Sequence, residues 1–245
     1  MSLGYGNLRT LALIPARAGS KGISNKNLAP TAGRPLIEWT IAAARAAGCL
    51  DRIVVSTDGP LIAGVARAAG AEVPFLRPAE LAGDAVPTMD VVWHAEAWLR
   101  EHERYVPDLV MVLQPTTPLR TAEDIVAGLK LLAQRQADSV VAICEAPDHP
   151  FWMKRLRPDG RIEDFLPQER VPARRQDLPS AYALNGALYV ARREPLLAQR
   201  TFMLPNTCGY VMPAERSLDV DTRWDLELAD FILSRRQNQA NETRN

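Results

Sequence analysis

Apolar runs without alternation recur along the chain, separated by segments in which apolar residues repeat at helical spacing. The runs indicate buried strands at residues 11–14, 53–55, 109–113 and 139–143. The intervening segments predict helices at residues 35–47, 61–69 and 89–102, and from the capping box at 121–124. Buried strands that alternate with amphipathic helices are typical of βαβ units. The pattern therefore predicts an α/β fold: a doubly wound, Rossmann-like, mostly parallel sheet that binds ligands at the carboxyl ends of its strands.

This alternation stops between residues 145 and 182, where the chain is rich in Pro, Arg and Asp. The stretch is too long for an ordinary loop, and we predict an inserted β-ribbon or arm. Residues 187–190 return to the sheet, and a last helix is expected from about Arg223 to Arg236, with frayed polar residues from Gln237 onward. We therefore expect a single domain over residues 8–236, with the arm at 145–182 inserted in it.

Composition and charge exclude several classes of function. The 245 residues are 47% hydrophobic and 24% charged, and the formal net charge is zero. Because Lys and Arg do not cluster, a nucleic-acid binder is disfavoured. No apolar run approaches the roughly 18 residues that cross a bilayer, and the first residues lack a signal-peptide pattern. Three distant cysteines suit a reducing compartment. We expect a cytoplasmic protein that binds neither nucleic acid nor membrane.

The loop after the first strand carries the strongest chemical signal. Its sequence, PARAGSKGISNKN at residues 15–27, lies between a buried strand and a helix, where backbone N–H groups can face an anion. Arg17, Lys21 and Lys26 add three cations, which suits a triphosphate. The loop matches neither the Walker A motif nor the dinucleotide GxGxxG motif. The alternative is a surface loop that happens to be basic.

Two carboxylates near the end of the chain suggest a metal site. Asp219 and Asp221 are spaced i and i+2, so in an extended segment both side chains point the same way and can reach one hard cation. The alternative is a solvated acidic turn before the last helix. A triphosphate loop elsewhere in the chain favours Mg²⁺.

Nine short blocks, in order along the chain, carry a resemblance to a known family. They are IPARAGSKG at 14–22, KNL at 26–28, GRPL at 33–36, STD at 56–58, RPAEL at 77–81, LQPTTPLR at 113–120, RQ at 175–176, NGALY at 185–189 and DVD at 219–221. Together they resemble the acylneuraminate cytidylyltransferases, which are nucleotidyltransferases: the CMP-sialic acid synthetases and bacterial relatives that act on other nonulosonic acids. The likeness spans residues 10–235.

The resemblance implies roles for individual residues. The implied nucleotide-binding residues are Arg17, Ser20, Lys21, Lys26, Asn27 and Arg77. The segment 84–88 is expected to surround the cytosine and ribose. The implied sugar-binding residues are Gln114, Arg175, Gln176 and Asn185. Asp219 and Asp221 are the implied Mg²⁺ ligands, and Lys21, Arg17 and Asp221 the implied catalytic residues. Without the resemblance, Arg77 would be taken for a capping or surface arginine and Gln114 for a turn-capping amide.

The implied reaction joins CTP to an acidic nonulosonate sugar. The anomeric hydroxyl of an α-keto sugar acid attacks the α-phosphorus, pyrophosphate leaves and a CMP-sugar forms. The resemblance also implies a homodimer in which the arm reaches the active site of the second subunit, with Phe151, Trp152 and Phe165 at the interface or facing the sugar. Two alternatives stay open: a nucleotidyltransferase of this fold that uses another nucleotide or a sugar 1-phosphate, and a non-catalytic nucleotide-binding protein.

Two departures from the sialic-acid-specific relatives bear on the sugar. Those relatives carry an arginine shortly before the Asn-Gly pair, where this chain has Ala183 and Leu184, and often a lysine where this chain has Phe151 and Trp152. Both changes remove donors and add apolar surface, which favours a deoxy acceptor such as legionaminic or pseudaminic acid over N-acetylneuraminic acid. The histidines are expected to be peripheral, although His149 in the arm could reach a ligand.

Overall fold

The computed structural model describes residues 8–20, 22–166 and 174–242, and its centre is a six-stranded sheet. In spatial order the strands are β10 (Thr207–Val211), β6 (Ser139–Glu145), β9 (Tyr182–Arg192), β5 (Leu109–Val112), β1 (Thr10–Pro15) and β4 (Arg52–Ser56). Every neighbouring pair is parallel except those of β9, which runs antiparallel to β5 and β6. The predicted mostly parallel sheet is confirmed.

Helices cover both faces of this sheet. They are α1 (Leu36–Ala47), α2 (Pro60–Ala68), α3 (Thr88–Glu103), α4 (Ala122–Gln134), α5 (Arg193–Gln199) and α6 (Arg223–Glu242). The side chains of Ala12 and Ile14 pack in a core with α1, α2 and α4, whereas Leu11 and Leu13 pack in a second core with α3 and α5. Successive β1 residues thus face opposite cores, which is why the strand is apolar throughout.

Three features differ from the sequence prediction. Neither α5 nor β10 was expected, and the expected fraying from Gln237 is wrong because α6 continues to Glu242. Tertiary hydrogen bonds hold its later turns: the Arg236 guanidinium donates to the carbonyls of Leu119 and Glu215, and Gln237 Nε2 donates to the Ala32 carbonyl.

A short antiparallel pair, β2 (Pro30–Thr31) and β3 (Arg34–Pro35), precedes α1.

A separate two-stranded sheet lies between the end of β6 and the start of β9. Its strands, β7 (Lys154–Leu156) and β8 (Ile162–Asp164), are antiparallel, and its exposed apolar side chains include Leu156, Ile162 and Phe165. At its base His149 is buried, with Nε2 2.9 Å from the Pro179 carbonyl oxygen and Nδ1 accepting from the Phe151 amide. His149 therefore braces the two ends of the insert, and its contact with a ligand remains a prediction.

The antiparallel direction of β9 matters for function. The parallel strands all end at one edge of the sheet, and β9 begins at that same edge. The segments that follow β1, β4 and β5 therefore meet the first residues of β9. None of the helices in the described ranges has both the length and the apolar character needed to cross a membrane.

Candidate active site

A cleft of about 220 Å³ opens at the carboxyl edge of the sheet. Ligands of doubly wound folds bind at this edge. Six of the predicted site residues line the cleft: Arg17, Ser20, Lys26, Asn27, Arg77 and Gln114. The facing wall includes Asp84, Val86 and Thr88, from the segment expected to surround the nucleoside. The structure therefore brings the basic loop, the nucleoside segment and the end of β5 into one cavity.

Side chains brace the basic loop from both sides. The buried Asn27 donates from Nδ2 to the Arg17 carbonyl at 3.0 Å, and the Ala18 amide donates to Asp58 Oδ1 at 2.8 Å. The Arg17 guanidinium pairs with the Asp84 carboxylate across the cleft, and about a third of each side chain is exposed. Asn27 thus fixes the backbone of the loop, while Arg17 has an anionic partner in the cleft wall.

Arg77 is not a surface arginine. It is buried, and its guanidinium donates to the Ser56 hydroxyl at 3.0 Å and to the carbonyl oxygens of Ser56 and Leu81. Burial lowers the pKa of Arg77 to about 10; nearby Asp58 opposes this shift and Arg17 adds to it. Arg77 joins the end of β4 to the cleft wall and leaves positive charge at the floor of the cleft.

The basic loop lies directly against the DVD segment. Lys26 Nζ donates to the Val220 carbonyl at 2.7 Å and to Asp221 Oδ1 at 3.1 Å. A Cβ added at Gly22 would lie 2.7 Å from the Asp221 carbonyl oxygen, so a side chain would force the two segments apart. The basic loop and the DVD segment, about 200 residues apart in sequence, are therefore in direct contact.

The two aspartates have different surroundings. Asp219 Oδ1 is buried without a hydrogen-bond partner, whereas the Asp221 side chain is 75% exposed. Burial raises the pKa of Asp219, opposed by a hydrogen bond from Thr116, and the charge of Asp221 raises it further. A buried, unpartnered carboxylate oxygen beside a second carboxylate fits a divalent cation. Within the described ranges, no group of three or more His, Cys, Asp or Glu could hold a metal, so other ligands would come from phosphate or water.

The predicted sugar side lies where β5 ends and β9 begins. Gly186 has a φ of +72° within β9, where the pairing with β6 is irregular, and a Cβ there would lie 2.7 Å from Gln114 Oε1, so this glycine both permits the positive φ and leaves room for the glutamine. Asn185 is buried, donates to the Ser217 hydroxyl at 3.0 Å and accepts from the Ala187 amide. Its amide ties β9 to the segment before DVD. A sugar contact by Asn185 remains a prediction.

Besides Asn185, Asp219 and Asp221, three further predicted residues are not placed among those that line this cleft. Lys21 lies outside the described residues. Gln176 lines a separate depression with Glu145, His149 and Pro179, at the base of the insert. Arg175 precedes it in the same 3₁₀ turn, Arg175–Asp177. The structure therefore gathers the phosphate side of the predicted site within one chain and leaves this pair apart from it.

Sequence reasoning did not identify two contributors to the site. Asp84 was expected only as part of a nucleoside-binding segment, but its carboxylate pairs with Arg17. Arg120 belongs to the block at 113–120, yet it is buried beneath Gln114 and bonded to that residue's carbonyl. Nothing local in the sequence distinguishes this arginine from an exposed one, because its partners lie in three separate segments.

Comparison with known protein families gives a consistent result. A family model described as cytidylyltransferase matches residues 11–208. The N-acylneuraminate cytidylyltransferase of Streptococcus agalactiae is 33% identical over 220 residues, which cover 89% of this chain and 52% of that protein. The chain thus spans about half the length of such relatives.

A second relative matches along its whole length. The CMP-N,N'-diacetyllegionaminic acid synthase of Legionella pneumophila is 33% identical over 237 residues, covering 94% of this chain and 98% of that protein. Among solved structures, CMP:2-keto-3-deoxy-manno-octonic acid synthetase in complex with CTP matches with a TM-score of 0.68 at 18% identity, covering 93% of this chain and 99% of that one. This structural likeness supports the fold.

The pair formed by Arg17 and Asp84 leads to a binding prediction. A polyphosphate must compete with Asp84 for the Arg17 guanidinium, so D84N should bind inorganic tripolyphosphate more tightly. For a partly exposed pair worth about 1 kcal/mol the gain is about fivefold. Isothermal titration calorimetry measures it, with E80Q as the control because Glu80 is an exposed carboxylate nearby that does not line the cleft. Unchanged or weaker binding by D84N would contradict the competition.

Proposed function

The chain belongs to the cytidylyltransferase family, and we propose that it transfers the cytidylyl group of CTP to a nonulosonic acid, releasing pyrophosphate and a CMP-sugar. The observation that carries the proposal is the contact of Lys26 with both Val220 and Asp221. Through it, a loop that is suited to a triphosphate and lines the cleft contacts a carboxylate pair that is suited to a divalent cation. Both are required when a hydroxyl displaces pyrophosphate from an α-phosphorus.

The basic loop would stabilise charge on the nucleotide. Arg17 and Lys26 line the cleft from the loop side and Arg77 from its floor. Negative charge grows on the α-phosphate and the leaving pyrophosphate during in-line displacement, and cations fixed beforehand lower that barrier most effectively. We assign Lys21 to the phosphate nearest the reaction, as the family resemblance implies. No covalent intermediate with the protein is needed.

Asp219 and Asp221 would hold Mg²⁺. The ion would supply Lewis-acid chemistry, lowering the pKa of the attacking hydroxyl. Asp219 offers a buried oxygen without a hydrogen-bond partner, and the Val220 amide, which donates to the Thr116 carbonyl at 2.7 Å, fixes the segment between the two carboxylates. Lys26, bonded to Asp221, would stay beside the ion and face the same phosphates.

The acceptor we propose is of the legionaminic acid type. Leu184 is 53% exposed at the start of β9 and lies near the position at which sialic-acid-specific relatives are expected to carry an arginine. It is two residues before Gly186, which lies against the Gln114 side chain. This apolar surface suits a sugar that ends in a methyl group better than one with a hydroxylated side chain. The full-length match to a diacetyllegionaminic acid synthase supports the same choice.

We further propose that the protein works as a homodimer through the insert. An isolated two-stranded hairpin is only marginally stable, yet this one exposes Leu156, Ile162 and Phe165. Covering these side chains with a second subunit would remove apolar surface from water. It would also bring the turn Arg175–Asp177 towards the partner's cleft.

The three cysteines bear on the compartment in which the protein works. Cys49, Cys144 and Cys208 all carry free thiols. Free thiols persist in reducing compartments, which supports the cytoplasm.

A pyrophosphate-release assay tests the reaction directly. Each of the four nucleoside triphosphates would be combined with N-acetylneuraminic, legionaminic and pseudaminic acids and with a sugar 1-phosphate, in the presence of Mg²⁺. We expect turnover with CTP and a nonulosonic acid, and a higher kcat/KM for legionaminic than for N-acetylneuraminic acid. Turnover only with a sugar 1-phosphate or another nucleotide would overturn the reaction. A tenfold or greater preference for N-acetylneuraminic acid would overturn the acceptor assignment alone.

Substitution of the exposed carboxylate tests the metal assignment. D221N should lower turnover about a hundredfold or more, because it removes one of two protein ligands to the cation. The free energy of unfolding should change by no more than about 0.5 kcal/mol, since the side chain is largely exposed. Steady-state kinetics and thermal melts measure the two effects. E227Q, which alters an exposed carboxylate in α6, is the control; a fully active D221N enzyme would remove the assignment.

Deletion of the insert tests the dimer. Removing about residues 147–178 should give a monomer that still binds CTP but no longer turns over the sugar, because the phosphate side lies in one chain. Light scattering gives the mass and calorimetry the CTP affinity. The point variant I162S should weaken the dimer, whereas L61S should not, since Leu61 is equally exposed but lies on α2. A native monomer with full activity would contradict the proposal.

A further inference from the structure

Arg120 is a buried cation among neutral partners. Its side chain is 3% exposed, and in the described part of the chain all its hydrogen bonds go to carbonyl or hydroxyl oxygens. Burial lowers the pKa of Arg120 to about 9, although the charge of Asp124 opposes the shift. Burying a charge without a bonded carboxylate costs free energy. The hydrogen bonds of this guanidinium offset that cost and hold the surrounding segments in place.

Those bonds join three segments that meet behind the cleft. Nη1 donates to Thr117 Oγ1 at 2.8 Å, to the Ala187 carbonyl at 2.7 Å and to the Gln114 carbonyl at 3.3 Å. Nη2 donates to Thr40 Oγ1 at 2.8 Å. One planar guanidinium therefore links α1, the turn after β5 and the start of β9, and hydrogen bonds from a charged donor are the strong ones.

The turn that Arg120 holds carries two groups of the proposed site. Gln114 projects towards Gly186, on the predicted sugar side, while the Thr116 carbonyl accepts from the Val220 amide between the two aspartates. A shift of this turn would move the glutamine relative to the carboxylate pair. The Gln114 carbonyl also accepts from the Thr117 hydroxyl at 2.9 Å, so its backbone is fixed from the same side.

We propose that Arg120 is a positioning residue for the acceptor: its guanidinium sets Gln114 at the distance from the Asp219 and Asp221 segment that the sugar requires. The proposal rests on the proposed function and adds a residue that does not itself line the cleft. Lysine keeps the charge but not the planar fork, so it cannot reach Thr40, Thr117 and Ala187 together.

Kinetics distinguish positioning from a purely structural role. R120K should raise KM for the sugar acid about tenfold, because a displacement of about 1 Å is costly at a reacting centre, while KM for CTP changes less than about twofold. R193K is the matched control: Arg193 also bonds a buried partner, Glu96, but lies beyond the other end of β9. It should lower thermal stability without changing either KM. Equal changes in the two KM values for R120K, or none, would overturn the proposal.

A double-mutant cycle tests whether Arg120 acts through Gln114. In the Q114A background, R120K should raise KM for the sugar acid less than about twofold further, since the group being positioned is gone. Independent, multiplying effects of the two substitutions would show that Arg120 does not act through Gln114 and would overturn the proposal.

Hydrogen–deuterium exchange gives a readout that does not depend on the reaction. In R120K, backbone amides of residues 113–120 and 184–188 should exchange faster than in the parent, whereas R193K should leave both segments unchanged. Unaltered exchange in R120K would overturn the proposal.

The exchange experiment separates this proposal from the proposed function. If the parent protein shows no turnover with CTP and any sugar acid, the proposed function fails, and the exchange result still decides whether Arg120 holds these segments. R120K is chosen over R120Q because it keeps the buried charge and should disturb folding less.

Discussion

The site depends on the contact between Lys26 and the DVD segment. One ammonium group bonds the Val220 carbonyl and the Asp221 carboxylate and so joins residues that are 194 and 195 positions away in sequence. Gly22 lies close enough to Asp221 that a side chain at this position would clash with the Asp221 carbonyl. Without this contact the basic loop and the carboxylate pair would be two unrelated surface features. With it, charges of both signs are held at one edge of the sheet, where a triphosphate and its cation can be bound together.

Buried arginines hold the walls of this site in place. Arg77 fixes the end of β4 to Leu81 in the cleft wall, and Arg120 fixes the turn after β5 to β9 and α1. Both guanidiniums bond carbonyl and hydroxyl oxygens and so link separate segments of the chain. Asp84 and Asp58 add negative charge near Arg17 and Arg77. The positive charge of the cleft is in this way compensated internally, and the proposed phosphate binding would exchange one anionic partner for another.

The sequence predicted the features that depend on local pattern. The strands at β1, β4, β5 and β6 followed from unbroken apolar runs, and the start of α4 from its capping box, which the structure forms at Thr121 and Asp124. The later turns of α6 could not be predicted, because bonds from Arg236 and Gln237 to distant carbonyls stabilise them. The role of Arg120 was hidden for the same reason. The antiparallel direction of β9 was not predicted either, because apolar periodicity carries no information on the direction of a strand.

The two halves of the proposed reaction are organised differently within the fold. The groups suited to phosphate and cation come from segments fixed to the central sheet: the loop after β1, the floor formed by Arg77 and the DVD segment. The groups predicted for the sugar are divided between Gln114, which Arg120 and Gly186 hold, and the turn Arg175–Asp177, which lies at the base of an insert with exposed apolar side chains. Nucleotide affinity should therefore be a property of the single chain. Sugar specificity should depend on the contacts that the insert makes with a second subunit. The acceptor can therefore vary between relatives while the chemistry of cytidylyl transfer stays the same.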